Sequence, residues 1–168
     1  EGQKGNPGRQ IQLACQMPET GWACTVDQQC ASGLKAIELL SQSIMLGKTE
    51  IGVAVGTESM SNAPYILPKA RSGHRMGDAP VLDAVLYDGL TCAMMGYHMG
   101  VTAENIAELY SITREEQDEL AFLSHSRAIE AIESGIFKSQ IAPVTIKSKK
   151  GEILFDQDEH PRSDISLE

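Results

Sequence analysis

The clearest hydrophobic pattern in this sequence lies between residues 30 and 45, where apolar side chains recur every three to four positions. The positions concerned are Leu34, Ile37, Leu40 and Ile44. This spacing puts them on one face of an α-helix. The pattern therefore predicts an amphipathic helix from Cys30 to Met45, and Gly47 is typical of a residue that ends a helix.

Short segments on either side of this helix are predicted to be β-strands. Trp22–Gln28 leads directly into the helix, and Ile51–Val55 is an uninterrupted apolar run of the kind found in strands buried on both faces. A strand, a helix and a second strand in this order predict a right-handed parallel crossover. Because catalytic groups gather at the carboxyl ends of such strands, Cys30 and Glu58 are placed at a candidate site.

The remainder of the chain has a less regular hydrophobic pattern. A short helix is predicted over residues 8–17, and prolines and glycines interrupt any regular pattern over residues 64–89, which predicts a long loop excursion. A capping box, Thr113-Arg114-Glu115-Glu116, opens a helix that is expected to end near Ser134. On this helix His125 is interpreted as a solvated residue.

The last predicted element is a hairpin. Its strands are Ile141–Ile146 and Glu152–Phe155, joined around Lys149-Lys150-Gly151. A parallel unit followed by helices and a hairpin predicts an α/β core over residues 1–63 and an inserted α+β domain over residues 64–168.

Composition and charge narrow the classes of function. The chain has 168 residues, of which 42% are hydrophobic, and its net charge of -9 disfavours binding to the phosphates of nucleic acid. It contains no run of about 18 apolar residues, so no membrane span is expected. The four cysteines form no Cys-x-x-Cys pair and have no metal-ligand spacing, so reduced thiols, no bound metal and a cytoplasmic location are expected. The first residue is Glu1 and no leader precedes the domain, so we expect an internal fragment.

Cys30 is the candidate nucleophile. A thiol at the first turn of a helix lies near unpaired N–H groups and a partial positive charge, which favour thiolate over thiol. The small residues Ala31, Ser32 and Gly33 leave the sulfur uncrowded. A buried cysteine that packs as a small hydrophobic side chain is the alternative interpretation of this position.

Cys30 also belongs to the first of four sequence blocks that follow one another in a fixed order. The blocks are Gln-Gln-Cys-Ala-Ser-Gly-Leu-Lys-Ala (28–36), Val-Gly-Thr-Glu-Ser-Met-Ser-Asn-Ala-Pro (55–64), Asp-Gly-Leu (88–90) and Gly-Tyr-His-Met-Gly-Val-Thr-Ala-Glu-Asn (96–105). In order and spacing they resemble the thiolase family, and the likeness extends from Gln3 to Glu159.

The resemblance implies a thiolase-like fold of the α/β class. Residues 1–63 correspond to part of the N-terminal βαβ core of the family's five-layer αβαβα architecture. Residues 64–168 correspond to the loop domain, which carries an oligomerisation excursion and the helices and hairpin that bind coenzyme A. By the same matching, Cys30 is the acyl-accepting nucleophile.

The resemblance also implies substrate-binding residues. Leu90 and Met99 match positions that line the pantetheine-side cavity, and Arg162 matches a position that faces the nucleotide end of coenzyme A, where a fixed positive charge is useful. His98 matches a histidine of the acyl pocket in short-chain members, which favours a two-carbon acyl group. Without the resemblance, a histidine between Tyr97 and Met99 is more often a packing residue than a catalytic one.

The implied activity is that of an acetyl-CoA C-acetyltransferase. Such an enzyme condenses two acetyl-CoA reversibly to acetoacetyl-CoA and coenzyme A through an S-acetyl-cysteine, acts as a homo-oligomer (dimer or tetramer) and needs no metal or redox cofactor. Three alternatives stay open: a broader-range 3-ketoacyl-CoA thiolase of fatty-acid β-oxidation, a ketosynthase that acts on carrier-bound substrate, and a non-catalytic thiolase-like binding subunit.

The sequence departs from the family pattern in several places. Asp27 stands where many members have Asn, and Ala31 where many have Gly. The family's carboxyl-terminal half supplies an Asn-Glu-Ala-Phe segment, a Gly-His-Pro histidine that deprotonates the nucleophile and a second cysteine in Cys-x-Gly, and none of these motifs occurs here. We therefore expect these 168 residues to be inactive when isolated.

Overall fold

The computed structural model describes residues 2–167 of the chain, and they form four α-helices and four short strands. The helices are α1 (Pro7–Ala14), α2 (Ser32–Met45), α3 (Met99–Tyr110) and α4 (Arg114–Glu133). The strands are β1 (Tyr65–Ile66), β2 (Leu82–Asp83), β3 (Val144–Ser148) and β4 (Gly151–Phe155). They pair antiparallel, β1 with β2 and β3 with β4.

The chain separates into two compact units, residues 1–101 and residues 102–168. The boundary expected from the sequence, between residues 63 and 64, lies within the first of these units. As a division between a core and an inserted domain, it stays a prediction. Within the part of the chain that the structure describes, no helix is long and apolar enough to cross a membrane.

Helix α1 confirms the helix predicted near the start of the chain, although it begins and ends slightly earlier than expected. Asn6 caps it by accepting a hydrogen bond from the Arg9 backbone N–H, while its side-chain amide donates to the Ala23 carbonyl at 3.1 Å. The Gly8 N–H donates to the Thr25 hydroxyl at 3.1 Å. These bonds fasten the start of α1 to the segment before the candidate nucleophile.

Arg9 and Gln12 form the second attachment of α1. The Arg9 guanidinium donates to the Gln12 side-chain oxygen at 2.6 Å and to the Gly21 carbonyl at 2.8 Å. The Gln12 amide in turn donates to the Pro18 carbonyl at 2.9 Å. Gln12 is buried, and its polar atoms are satisfied by these partners, as a buried amide requires.

The strand predicted at Trp22–Gln28 does not form within residues 2–167. A strand needs a neighbouring strand to exchange backbone hydrogen bonds, and here the Ala23 carbonyl and the Thr25 hydroxyl accept hydrogen bonds from the start of α1 instead. The prediction of a strand at this position was therefore wrong for the described residues.

Helix α2 confirms the predicted amphipathic helix, but it begins at Ser32 rather than at Cys30. The run Ile51–Val55 lies against it, since a Cβ placed on Gly52 would collide with the Leu40 side chain. This run also pairs with no strand among the described residues, and Ile51 is 85% exposed. The predicted parallel crossover is thus absent from residues 2–167, although helix and run pack against each other.

The segment from Pro64 onward is largely irregular, as predicted, but a short antiparallel pair closes it. Tyr65 lies opposite Asp83 and Ile66 opposite Leu82. The Ala84 N–H then donates to the Pro64 carbonyl at 3.1 Å, and Ala84 is buried. A π-helix over Val85–Leu90 follows directly, so the ends of the excursion are held together and its tip projects.

Two predicted elements of the second unit are present, whereas α3, most of which also lies in this unit, was not predicted. Helix α4 begins with the predicted capping box, in which the Glu116 N–H donates to the Thr113 hydroxyl at 3.2 Å and the Thr113 N–H donates to the Glu116 carboxylate at 2.8 Å. The predicted hairpin is present as β3 and β4, with Ser148 opposite Gly151 across the turn.

We expect the substitution Thr113→Ala to loosen the start of α4. Losing the cap hydroxyl leaves the Glu116 amide without its acceptor, which corresponds to about 1 kcal/mol or about fivefold faster hydrogen exchange in the first turn. Hydrogen exchange read by mass spectrometry measures this. Ser126→Ala, an exposed position in the middle of the same helix, is the control and should not accelerate exchange at the first turn. Unchanged exchange in Thr113→Ala would contradict the role of the cap.

Candidate active site

Cys30 lies on a tight turn immediately before α2. The N-cap of the helix is Ala31, so Cys30 precedes the cap by one residue. The sequence had predicted that Cys30 belongs to the first helical turn. Cys30 is exposed, and its thiol is free. The prediction of a buried packing cysteine does not describe this position, because the residue faces solvent within the described chain.

The turn that carries Cys30 contains a residue in the left-handed region of backbone conformation. Gln29 has a φ of 52°, which a side chain with a Cβ adopts only rarely. The Asp27 carboxylate accepts a hydrogen bond from the Gln29 N–H at 3.0 Å. This side-chain acceptor two residues earlier is the arrangement by which aspartate stabilises turns. Asp27 thus points at the backbone of the turn.

Ser32 closes the other side of the same turn. Its hydroxyl accepts from the Gln28 N–H at 2.8 Å and donates to the Gln29 carbonyl at 2.7 Å. The backbone adds Ala31 N–H to Gln28 carbonyl at 3.1 Å. The Cys30 N–H is not used in these hydrogen bonds. It therefore lies next to the sulfur as a donor available to a bound carbonyl oxygen.

Leu90, His98 and Met99 lie at a second place in the first unit. Thr91 and His98 form an isolated antiparallel bridge, and the Cys92 N–H donates to the Tyr97 carbonyl at 2.8 Å. Because Leu90 precedes Thr91 and Met99 follows His98, this bridge brings the three predicted substrate-binding residues onto adjoining chain segments.

The ring of His98 caps α3. Its Nδ1 accepts a hydrogen bond from the Gly100 N–H at 2.9 Å, while its carbonyl accepts from the Val101 N–H at 2.9 Å. A nitrogen that accepts from a backbone N–H carries no proton, so the neutral ring holds its proton on Nε2. His98 therefore has a structural role and still presents one N–H donor. The packing and pocket interpretations are compatible with each other.

Arg162 belongs to the second unit and is paired with a nearby carboxylate. Its Nε donates to Asp164 Oδ1 at 3.2 Å and its Nη2 to Oδ2 at 3.3 Å. These hydrogen bonds raise the pKa of Arg162 and lower the pKa of Asp164. The guanidinium side chain remains 62% exposed, so it can be reached by an anionic ligand.

His125 is a residue whose position the sequence interpretation missed. It is half-buried, its Nδ1 accepts from the Arg162 N–H at 3.0 Å, and its ring lies 5.7 Å from that of His160. The interpretation of His125 as a solvated residue was therefore wrong. The helical spacing contained the signal, because Phe122 and Ile129 lie three and four residues away, on the same face of α4.

The described residues combine helices and strands, and they carry an exposed cysteine on a turn before a helix. Over residues 1–168 the sequence matches the family described as the thiolase N-terminal domain, and the chain belongs to that family. This match confirms the family resemblance and the fold class inferred from the sequence blocks.

Individual relatives agree with the family assignment. The chain is 50% identical over 164 residues to the acetyl-CoA acetyltransferase of Escherichia coli, covering 97% of this chain and 42% of the relative. It is 50% identical over 159 residues to that of Syntrophomonas wolfei, covering 94% of this chain and 40% of the relative. The chain therefore spans about two fifths of the length of these relatives.

Solved structures show the same similarity in three dimensions. The structure of the acetyl-CoA acetyltransferase from Syntrophomonas wolfei superposes with a TM-score of 0.94 at 53% identity, over 99% of this chain and 42% of the other. The acetyl-CoA acetyltransferase of Bacillus anthracis gives a TM-score of 0.91 at 44% identity, over 96% of this chain and 41% of the other. The fold of residues 2–167 is thus that of the matching part of these enzymes.

We expect Cys30 to react with iodoacetamide faster than Cys15. Both residues are exposed, but Cys15 is the C-cap of α1 and Cys30 lies just before the start of α2. The thiolate reacts, and negative charge is stabilised at a helix start and destabilised at a helix end, which corresponds to about fivefold in rate. Peptide mapping after brief alkylation of the native chain measures the ratio. Faster labelling of Cys15 would contradict the assignment.

Proposed function

We propose that this chain is the N-terminal part of an acetyl-CoA C-acetyltransferase in which Cys30 is the nucleophile. The observation that carries the proposal is the turn at residues 27–32, which presents an exposed thiol and an adjoining backbone N–H at the start of a helix. Relatives about 50% identical are named acetyl-CoA acetyltransferase, which supports the choice of reaction.

The proposed reaction has two steps at the same sulfur. The Cys30 thiolate attacks the carbonyl carbon of acetyl-CoA, a carbon–sulfur bond forms, and coenzyme A leaves as its thiol after taking up a proton. A second acetyl-CoA then loses a methyl proton, and its carbon attacks the S-acetyl group to give acetoacetyl-CoA and regenerate the thiolate. During both attacks the Cys30 N–H donates to the developing oxyanion.

Each unit carries its own proposed substrate contacts. Leu90 and Met99 contact the pantetheine arm, and the Nε2–H of His98 donates to the acyl thioester in a pocket sized for two carbons. Arg162 attracts the phosphates of the nucleotide end. The N–H donors of its guanidinium are shared between these phosphates and the Asp164 carboxylate. Arg162 is supported in this role by its exposure and its charge.

Further properties belong to the proposal because the family resemblance and the composition imply them. The complete protein is a homo-oligomer, dimer or tetramer, in the cytoplasm, and thioester exchange at a cysteine uses no metal or redox cofactor. The proton transfers are carried out by a histidine and a second cysteine of the remaining part of such an enzyme.

The complete protein that carries this chain should cleave acetoacetyl-CoA with coenzyme A to two acetyl-CoA. Turnover should fall sharply as the acyl chain lengthens, because the resemblance of His98 to the acyl-pocket histidine of short-chain family members favours a two-carbon acyl group. Cys30→Ala should lower turnover by about three powers of ten or more, since it removes the bond-forming atom. The loss of acetoacetyl-CoA absorbance measures the rate.

Cys15→Ala is the matched control, because it removes an exposed thiol at the other end of a helix and should leave turnover unchanged. Equal turnover of an eight-carbon 3-ketoacyl-CoA would move the assignment to a broad-range thiolase of fatty-acid β-oxidation. Full activity of Cys30→Ala would remove the proposed nucleophile, and the absence of any thioester exchange would favour a binding subunit.

Residues 1–168 expressed alone should show no measurable thiolase turnover. Catalytic groups that act as a unit lose most of their effect when members of the unit are removed. The same assay with the isolated chain at high concentration tests this expectation. Robust cleavage by the isolated chain, lost in Cys30→Ala, would show that the catalytic groups all lie within these residues.

A further inference from the structure

We infer that Asp27 is a positioning residue for the nucleophile: its carboxylate holds Gln29 in the left-handed conformation that presents Cys30. The inference rests on the proposed role of Cys30. It concerns how the chain keeps the sulfur in place before any substrate binds.

The hydrogen bonds of the turn show what Asp27 does. The N–H groups of Gln28 and Gln29 are both occupied by side chains, the first by the Ser32 hydroxyl at 2.8 Å and the second by the Asp27 carboxylate at 3.0 Å. Two consecutive amides are thereby fixed in direction. The Cys30 N–H shares a planar peptide unit with the Gln29 carbonyl, which accepts from the Ser32 hydroxyl at 2.7 Å, so these three hydrogen bonds together orient it.

The conformation of Gln29 explains why such a clamp is needed. A residue with a Cβ at a φ of 52° relaxes to the right-handed or extended region unless its surroundings hold it. Glycine adopts this conformation without strain, but the chain has glutamine there. The Asp27 and Ser32 hydrogen bonds are the interactions that supply the restraint, and their loss would let the residue before Cys30 rotate.

The chemistry of Asp27 separates a geometric role from an electrostatic one. A carboxylate close to a thiolate opposes its formation by like-charge repulsion, so the charge of Asp27 cannot be what activates the sulfur. The useful property is an acceptor oxygen at the length of an aspartate side chain. An asparagine has the same oxygen at the same length without the charge, whereas a glutamate has the charge and places its oxygens one bond further away.

The test compares Asp27→Asn with Asp27→Glu in the complete protein. We expect Asp27→Asn to keep kcat within about threefold of the unsubstituted protein, because the acceptor stays in place. Asp27→Glu should lower kcat by about tenfold or more with KM for coenzyme A changed by less than about twofold, since the sulfur is displaced but the substrate contacts are not. The alkylation rate of Cys30 should change in the same order.

A second substitution tests the stated cause. Gln29→Gly removes the need for a clamp, so Asp27→Glu combined with Gln29→Gly should recover most of the kcat that Asp27→Glu loses. Because glycine at this position also relieves strain in the fold, the Tm of each variant is measured: recovery of kcat that only follows recovery of Tm would contradict the positioning role. Circular dichroism and size-exclusion chromatography confirm that each variant is folded and assembled.

Cys30→Ala in the same assay distinguishes failure of this inference from failure of the proposed function. Activity that persists in Cys30→Ala overturns the proposed nucleophile itself. If Cys30→Ala is inactive, a fully active Asp27→Glu overturns the positioning role alone. A folded Asp27→Asn that loses activity while Asp27→Glu keeps it would show that charge is what matters, and also overturns the inference.

Discussion

The left-handed conformation of Gln29 is the constraint on which the candidate site depends. This conformation turns the chain just before α2. Cys30 therefore lies outside the helix, one residue before the N-cap, with its N–H beside the start of the helix. The restraint is local, since Asp27 and Ser32 lie within three residues of Gln29 and bond only to backbone groups of the turn. A nucleophile held in this way is oriented before substrate arrives, which removes part of the entropy that an acyl transfer must otherwise overcome.

The other site residues are held by the same kind of interaction, a side-chain atom bonded to a nearby or facing backbone group. His98 accepts from the second residue of α3 and so fixes its own ring, and Arg162 is held through its backbone N–H by His125 and through its guanidinium by Asp164. Each of these hydrogen bonds joins residues of the same unit of the chain. The site is thus built from rigid local pieces, which suits a domain that shares its chemistry with other parts of an enzyme.

The described residues have the α/β thiolase fold. A family match over the whole chain and superposition with acetyl-CoA acetyltransferases assign residues 2–167 to the N-terminal part of that fold. The chain spans about two fifths of the length of such proteins, and the proposed reaction is that of the complete protein. Within them, Cys30 offers the sulfur and an adjoining donor, and Arg162 offers an exposed positive charge.

The sequence by itself determined the elements that depend on near neighbours. Helical periodicity, the Thr113 capping box and the hairpin over residues 141–155 appear as predicted, because their hydrogen bonds join residues close in the chain. The order of motifs likewise identified the family, whereas the role of Cys30 as nucleophile stays a prediction. Tertiary structure alone decided what needs a distant partner: whether Ile51–Val55 finds a neighbouring strand, and that His125 faces the backbone of Arg162 from 37 residues away. Periodicity reports which face of an element is apolar, but it carries no information about which backbone group a polar side chain meets.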